Sequence, residues 1–152
     1  MNAPFDVSKL YVETERMILR PFDAADPDEF REYEIAVVLK ETAAVVGSVG
    51  LEDVLNITMP DDEQGREIGY VLSQEYWGRG LMTEAAKAVI DYCFQTLDWD
   101  YIVAAHFETN LRSRRVIEKC GFPYLKNVMH RTRRGTLEDT RLYVLYNPCK
   151  KR

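Results

Sequence analysis

The sequence predicts an α+β sandwich, in which a mixed, mostly antiparallel sheet of about six to seven strands carries helices on both faces. Short runs of β-branched residues alternate with turn residues through the first half of the chain, which is typical of antiparallel strands. From Gly78 onward the apolar residues recur at helical spacing for about five turns. Strand-like runs precede and follow this helix, so a parallel strand pair should form across it.

The first half should contain three strands and one short helix. The strands are predicted at residues 11–20, Ile35–Leu39 and Val45–Leu55, the last two paired as a hairpin. The helix should begin at Asp26 and Pro27, because aspartate is a good N-cap and proline suits the first helical position.

The second half should contain four strands and two helices. The second helix is predicted over Leu111–Cys120, since Asn110 is a good N-cap and Gly121 is the residue expected just past a helix end. The strands are predicted at Glu67–Ser73, Tyr101–Phe107, Phe122–Thr132 and Leu137–Tyr146.

Length and composition are those of one ordinary globular domain. The 152 residues are 46% hydrophobic and 30% charged and contain no repeat or linker, so we expect a single domain over residues 1–152. The formal net charge of -5 argues against nucleic acid as a partner. No apolar run could span a membrane, and residues 1–10 lack the pattern of a secretion signal, so we expect a cytoplasmic protein without a membrane partner.

Cysteine and histidine are too sparse to predict a disulfide framework or a metal site. Cys93, Cys120 and Cys149 are odd in number and widely spaced, which favours reduced thiols. His106 and His130 are isolated in the sequence, so no metal cofactor is expected.

A glycine-containing loop opens the long helix. Gly78 and Gly80 leave backbone N–H groups accessible, and the helix start adds unpaired donors and the positive end of its dipole. A pyrophosphate would suit this loop. A tight turn without any ligand is the alternative, because a Gly-x-Gly before a helix is weak evidence by itself.

The context of this loop resembles a known family. WGRGLMTEA (77–85), followed by NLRSRRVIEKCGF (110–122), resembles the GNAT superfamily of N-acetyltransferases and, within it, the ribosomal-protein N-terminal acetyltransferases of the RimJ/RimL type. The opening TERMILRPF (14–22) is also similar to that branch. Three positions depart from the family pattern: Trp77 stands where Gln or Arg is common, Met82 replaces a small residue, and Ile117 replaces a frequent tyrosine.

The resemblance implies acetyl-CoA as co-substrate. Its pantetheine arm would pair with the backbone of the strand after the hairpin, and its pyrophosphate would lie on the glycine loop. By position, the implied cofactor-binding residues are Tyr70, Val71, Leu72, Ser73, Gly78, Arg79, Gly80, Leu81, Met82, Thr83, Asn110 and Ser113. The basic residues of the second helix could reach the CoA 3′-phosphate, but a solvated helix face is the better interpretation.

The resemblance also suggests catalytic residues. With Ile117 in place of the tyrosine, Ser113 is the candidate that protonates or orients the departing thiolate; the alternative is an ordinary helical serine. Glu67 is the candidate base, with an exposed strand-end carboxylate as the alternative. His106 has a suitable intrinsic pKa, but a lone strand histidine is more often a packing residue.

The implied activity is transfer of an acetyl group from acetyl-CoA to a primary amine, on a protein N-terminus or a small molecule. The alternatives are an idle acyl-CoA-binding or sensor domain on the same fold, and a structural domain that binds no nucleotide. The family normally has two helices after its first strand, whereas residues 21–34 leave room for one short helix. Either the protein is naturally shorter here, or a segment is absent from the sequence. The acceptor is not identified, and a homodimer is left open.

Overall fold

The computed structural model describes residues 6–150. The strands are β1 (Val12–Glu13), β2 (Met17–Pro21), β3 (Ile35–Leu39), β4 (Val45–Glu52), β5 (Gly65–Leu72), β6 (Tyr101–Phe107), β7 (Tyr124–Arg131) and β8 (Leu137–Tyr146). The helices are α1 (Leu81–Gln95) and α2 (Leu111–Lys119), and short 3-10 turns lie at Val7–Lys9 and Gln74–Tyr76.

The eight strands form one sheet in the order β1-β2-β3-β4-β5-β6-β8-β7. Every neighbouring pair is antiparallel except β5 and β6, which run parallel. The predicted fold class, the β3–β4 hairpin and the parallel pair are therefore confirmed. The strand count is eight rather than six to seven, because the predicted strand at 11–20 is broken by a turn in which Thr14 N–H donates to the Met17 carbonyl at 2.9 Å.

The core lies on one face of the sheet, between the strands and α1. The apolar stripe that predicted this helix is buried as a unit and consists of Leu81, Met82, Ala85, Ala86, Val89, Ile90, Cys93 and Phe94. Ile117 of α2 belongs to the same core and is 2% exposed, which explains why an apolar residue stands at this position.

One detail of the predicted architecture differs, because both helices lie on this single face. The opposite face is covered by non-helical chain instead, namely by Tyr33 over the middle of the sheet and by Val54, Ile57 and Met59 near β6 and β8. The helix expected after Asp26 and Pro27 would have covered this face.

That helix prediction is wrong, because residues 22–34 form only turns and bends. Both carboxylate oxygens of Asp26 accept hydrogen bonds from the Arg20 guanidinium, at 2.7 and 2.9 Å, instead of capping a helix. This pairing holds the pKa of Asp26 down at about 2. Phe30 has a φ of 69°, a left-handed conformation that a continuous helix through this point does not allow.

Within residues 6–150, no helix combines the length and apolar character that crossing a lipid bilayer requires.

Candidate active site

Strands β5 and β6 separate after only three paired residues. Gly65, Arg66 and Glu67 align with Tyr101, Ile102 and Val103, and no pairing follows for the rest of either strand. The second half of β5 is therefore bonded to β4 on one side and open on the other. An open strand edge inside a sheet exposes backbone donors and acceptors that an extended ligand can use.

Alternation along β5 identifies which backbone groups face this gap. Ser73 N–H donates to the Val46 carbonyl on the β4 side at 2.8 Å, so the odd-numbered residues bond toward β4. Tyr70 and Leu72 consequently direct their N–H and C=O groups into the gap. The Leu72 carbonyl accepts the indole N–H of Trp77 at 3.0 Å, which places it on the gap side.

This result narrows the predicted backbone contacts. Tyr70 and Leu72 can pair with a ligand in the gap. Val71 and Ser73 cannot do so through their N–H groups, because these face β4, although the side chain of Val71 can still line the gap. Sequence position alone did not separate the two sets, since the strand phase relative to β4 was unknown.

The loop before α1 has the conformation expected of an anion site. Gly78 and Gly80 have φ values of 80° and 74°, in the left-handed region that favours glycine. Gly80 occupies the N-cap position of α1 and has no side chain to cap the helix, so the first N–H groups, at Leu81 to Thr83, remain available. The predicted loop residues 78–83 thus comprise the turn before the helix and its first three residues, and Met82 is buried in the core.

Arg16, in the turn between β1 and β2, supports this loop. Its guanidinium donates to the Arg79 carbonyl at 2.9 Å and to the carboxylate of Glu84 in the first turn of α1 at 2.8 Å. Thr14 also donates to that carboxylate. The loop is therefore held from the carbonyl side, which leaves its N–H groups facing outward.

The gap and the loop together border a groove of about 790 Å³. Its far wall is α2, whose basic residues Arg112, Arg115 and Lys119 line it. These three side chains are exposed, as the interpretation of a solvated helix face expects, and they also border the groove. The guanidinium of Arg112 lies 3.7 Å from the centre of the Trp77 ring, and Arg114 pairs with Glu118 at 3.2 Å. The groove also includes Tyr70, Val71, Leu72, Tyr76, Trp77, Gly78, Gly80, Leu81, Met82, Thr83, Asn110 and Val116.

Asn110 and Ser113 lie where α2 begins beside the gap. The Asn110 side chain accepts from Ser113 N–H at 3.1 Å, which confirms the predicted N-cap. The Ser113 hydroxyl lies 2.8 Å from the hydroxyl of Tyr70, and Tyr70 also donates to the Ser113 carbonyl at 3.2 Å. Burial raises the pKa of Tyr70, so its hydroxyl stays protonated at neutral pH.

The hydroxyl of Tyr70 is the functional group that the sequence analysis missed. Tyr70 was predicted to contribute backbone only, and Ser113 was predicted to act in the absence of a tyrosine. The structure joins the two by a hydrogen bond across the gap. Strand alternation would have placed the Tyr70 side chain on the α2 face, but its contact with Ser113 depends on the position of α2, which the sequence does not specify.

A second, smaller cavity of about 340 Å³ opens on the other side of the gap. It shares Tyr70 and Asn110 with the groove and includes Tyr33, Glu52, Glu67, His106 and Ser113. Its charged lining residues are the carboxylates Glu52 and Glu67, without any lysine or arginine from the described residues.

Glu67 lies inside this cavity rather than at an exposed strand end. Burial and the facing Glu52 raise the pKa of its carboxyl to about 7, while a hydrogen bond from the Leu55 backbone opposes the shift. Oxygen Oε1 is buried and has no protein partner. A half-buried carboxyl that titrates near neutrality is suited to accept a proton from an amine.

His106 is a buried packing residue, as its position on a strand suggested. It is 4% exposed, and its two ring nitrogens lie 2.7 Å from the Phe107 carbonyl and 2.9 Å from the Tyr143 hydroxyl. Both ring nitrogens are therefore engaged within the protein.

No group of three or more His, Cys, Asp or Glu side chains among residues 6–150 has an arrangement suited to a metal ion.

The family model that describes an acetyltransferase (GNAT) domain matches residues 11–123. The chain belongs to the GNAT family. The GNAT match includes the split strand pair, the glycine loop and α2, which together form the groove.

Two comparisons place this GNAT domain among known proteins. It is 31% identical over 119 residues to a probable N-acetyltransferase, YjcK of Bacillus subtilis (strain 168), which is 77% of this chain and 63% of that relative. The chain spans 46% to 63% of the lengths of the first three curated relatives that it matches. The ribosomal-protein-S5-alanine acetyltransferase of Vibrio fischeri superposes with a TM-score of 0.77 at 21% identity, covering 95% of this chain and 100% of that one.

A third comparison concerns a solved complex. The microcin C7 self-immunity acetyltransferase MccE, determined with acetyl-CoA and AMP, superposes with a TM-score of 0.62 at 20% identity, covering 74% of this chain and 59% of that one. Both structural likenesses show the shared fold.

The glycine loop can be tested with two matched substitutions. Gly78 and Gly121 have φ values of 80° and 86°, and a Cβ at either would meet open space, so alanine carries the same backbone cost of about 1–2 kcal/mol at both. We expect Gly78→Ala to weaken CoA binding about tenfold, because binding must restore the left-handed loop. Gly121→Ala should destabilise the domain similarly but leave the CoA dissociation constant unchanged, as measured by calorimetry. Equal CoA affinity in both variants would place the anion site elsewhere.

Proposed function

We propose that this GNAT domain transfers an acetyl group from acetyl-CoA to a primary amine by direct attack within a ternary complex. The observation that carries the proposal is the gap between β5 and β6, which connects a groove lined by basic side chains on one side with a carboxylate-lined cavity on the other. A thioester that reaches through this gap from the groove would meet an amine that enters from the cavity.

The residues of the groove fit acetyl-CoA. The free N–H groups of residues 81–83 and the side chains of Arg112, Arg115 and Lys119 would hold its phosphates. The open edge of β5 would pair with its pantetheine arm through Tyr70 and Leu72. Bound acetyl-CoA supplies the electrophilic thioester carbonyl.

Three groups of the protein would then divide the chemistry. Glu67 accepts a proton from the ammonium group, so that the neutral nitrogen can form a bond to the carbonyl carbon. A backbone N–H of Tyr70 or Leu72 donates to the carbonyl oxygen as negative charge develops there, a contribution of roughly 3–4 kcal/mol. As the carbon–sulfur bond breaks, Ser113 gives its proton to the thiolate and recovers one from Tyr70. Water then reprotonates Tyr70 and takes up the second proton of the nitrogen and the one held by Glu67, so that one proton is released in each turnover.

The cavity also limits the acceptor. The lining carries two carboxylates and no lysine or arginine, and Arg133 acts on Glu52 from outside the lining. The excess of negative charge at the lining favours a cationic amine and repels a carboxylate on the same molecule. An N-terminal peptide amine or a simple alkylamine fits this charge pattern better than a free amino acid.

A direct test is CoA release with ethylamine, benzylamine, spermidine, alanine, alaninamide and a peptide with an N-terminal alanine. We expect turnover with the carboxylate-free amines and at least about tenfold lower kcat/KM for alanine. Alaninamide is less basic than alanine and ethylamine is more basic, so both exceeding alanine excludes basicity as the cause. CoA binding without turnover of any amine would favour the sensor alternative.

The role of Glu67 predicts a pH dependence of turnover. With both substrates saturating, kcat should rise with pH through about 7 and then level off, because the carboxyl must be deprotonated to act as base. Glu67→Gln should abolish the rise of kcat through pH 7 and lower kcat by roughly 10²–10⁴-fold. If the Gln variant shows the same rise of kcat with pH, another group is the one that titrates.

The same pKa has a consequence for stability that needs no substrate. Its value of about 7 in the folded state exceeds the unfolded value of 4.5, so the folded protein binds the proton more tightly. Stability should therefore decrease as pH rises from about 4.5 to 7, by up to about 3 kcal/mol. Urea denaturation of wild type and Glu67→Gln across this range should show the difference between them growing with pH.

Because Ser113 and Tyr70 are hydrogen-bonded, the effects of substituting them on kcat should not be additive. Ser113→Ala and Tyr70→Phe should each lower kcat by roughly 10- to 100-fold with little change in acetyl-CoA affinity, because both interrupt one proton path. The double variant should be no slower than the slower single variant. Effects that multiply would show that the two hydroxyls act independently.

A further inference from the structure

Tyr33 lies across two glycines that face each other on neighbouring strands. Gly50 of β4 and Gly69 of β5 are directly opposed in the register. A Cβ added at Gly50 would lie 2.7 Å from Cδ1 of Tyr33, and one at Gly69 would lie 2.6 Å from Cε1 and 2.8 Å from the hydroxyl oxygen. The ring therefore spans both strands in direct contact with their backbones, with its hydroxyl end over β5.

The contact with this ring accounts for the two glycines. Glycine in the interior of a strand lowers stability, and here each of two adjacent strands has one at the same position. The three atoms nearest to an added Cβ all belong to Tyr33 at both positions. The absence of both side chains therefore creates one seat, which has the size of one aromatic ring.

The seat lies at the wall of the acceptor cavity. Glu52 and Glu67 are the next residues on the same face of β4 and β5, and they are also directly opposed. Tyr33, Glu52, Glu67 and Gly69 line the cavity together. Burial and the nearby carboxylates raise the pKa of Tyr33 to about 12, so the ring remains neutral beside them.

The chain that carries Tyr33 is braced although it is not helical. Asp26 pairs with Arg20 through two hydrogen bonds. Arg31 donates to the carbonyls of Asp23, Asp26 and Pro27, and its guanidinium lies 4.9 Å from the centre of the Phe22 ring. Residues 22–34 thus hold the ring where a helix would otherwise form the wall.

We propose that Tyr33, seated on Gly50 and Gly69, is the specificity-determining residue of the acceptor cavity: its ring closes the wall beside Glu67 and limits the size of the amine. This inference rests on the proposed acetyl transfer. Ring atoms of Tyr33 lie against both strands, so we assign this role to the ring rather than to the hydroxyl.

Steady-state kinetics at pH 8.5, where Glu67 is ionised in every variant, would test this. For the best wild-type acceptor of the amine panel, Tyr33→Ala should raise the acceptor KM at least about tenfold, with the acetyl-CoA KM changed by less than about twofold. The kcat/KM of benzylamine relative to ethylamine should rise about tenfold, because the wall is open. Tyr33→Phe should retain wild-type values.

A second variant, Gly69→Ala, changes the position of the Tyr33 ring without altering Tyr33 itself. Gly69→Ala must displace the ring, so it should reproduce the acceptor effects of Tyr33→Ala. In the Tyr33→Ala background the added methyl group meets no ring, so Gly69→Ala should add nothing further. Tyr11→Ala, which truncates a tyrosine 58% exposed on β1's N-terminal side, is the control and should leave both KM values unchanged.

The outcomes separate the two proposals. A wild type that turns over no amine contradicts the proposed function, and the inference falls with it. An active wild type with an unchanged acceptor KM and amine selectivity in folded Tyr33→Ala contradicts the inference alone. So does a Tyr33→Phe variant as defective as Tyr33→Ala, which would assign the effect to the hydroxyl.

Discussion

The separation of β5 from β6 is the constraint on which the remaining structure depends. Only three residues pair, and beyond them each strand follows a different neighbour, β5 with β4 and β6 with β8. The crossover from β5 to β6 through α1 places the helix start beside the gap, and α2 begins shortly after β6 ends. The free strand edge, the helix N-terminus and the two hydroxyls therefore meet at one place because of chain topology. A sheet that remained paired to its end would contain no groove.

The gap also separates two electrostatic environments. The groove side has the start of α1 and three basic side chains, whereas the cavity side has two carboxylates. Under the proposed function, an anionic cofactor and a cationic acceptor would each be attracted to its own side. Tyr70 belongs to both sides, because it is the one residue of β5 that lines both the groove and the smaller cavity. Under the proposed function, the two substrates would therefore meet through the sheet while each keeps a separate binding site.

Sequence reasoning predicted what depends on local pattern. The apolar stripe predicted α1 to within two residues at its C-terminal end, and Asn110 and Gly121 marked the ends of α2. The glycine loop was predicted because two glycines before a helix leave backbone N–H groups accessible, and in the structure both have a positive φ, of 80° and 74°. The failures are non-local. Three features depend on which strands and loops lie beside each other. They are the set of β5 backbone groups that bond to β4, the contact between Tyr70 and Ser113, and the position of Tyr33 on Gly50 and Gly69. Asp26 had the signature of a helix cap, but the guanidinium of Arg20 competed for its oxygens.

The facing carboxylates Glu52 and Glu67 are a feature that stability alone does not favour. Like charges directly opposed in an antiparallel pair destabilise it, and burial makes the ionised form of Glu67 costlier still. The two opposed glycines beside them weaken the same strands again. Two consecutive same-face positions on each of β4 and β5 are thus poor choices for a sheet. Under the proposed function, they suit a cavity that deprotonates an amine beside an aromatic wall. Local conflicts of this kind concentrate at functional sites. Their position at the end of the gap is why we assign the acceptor side of the reaction to this face.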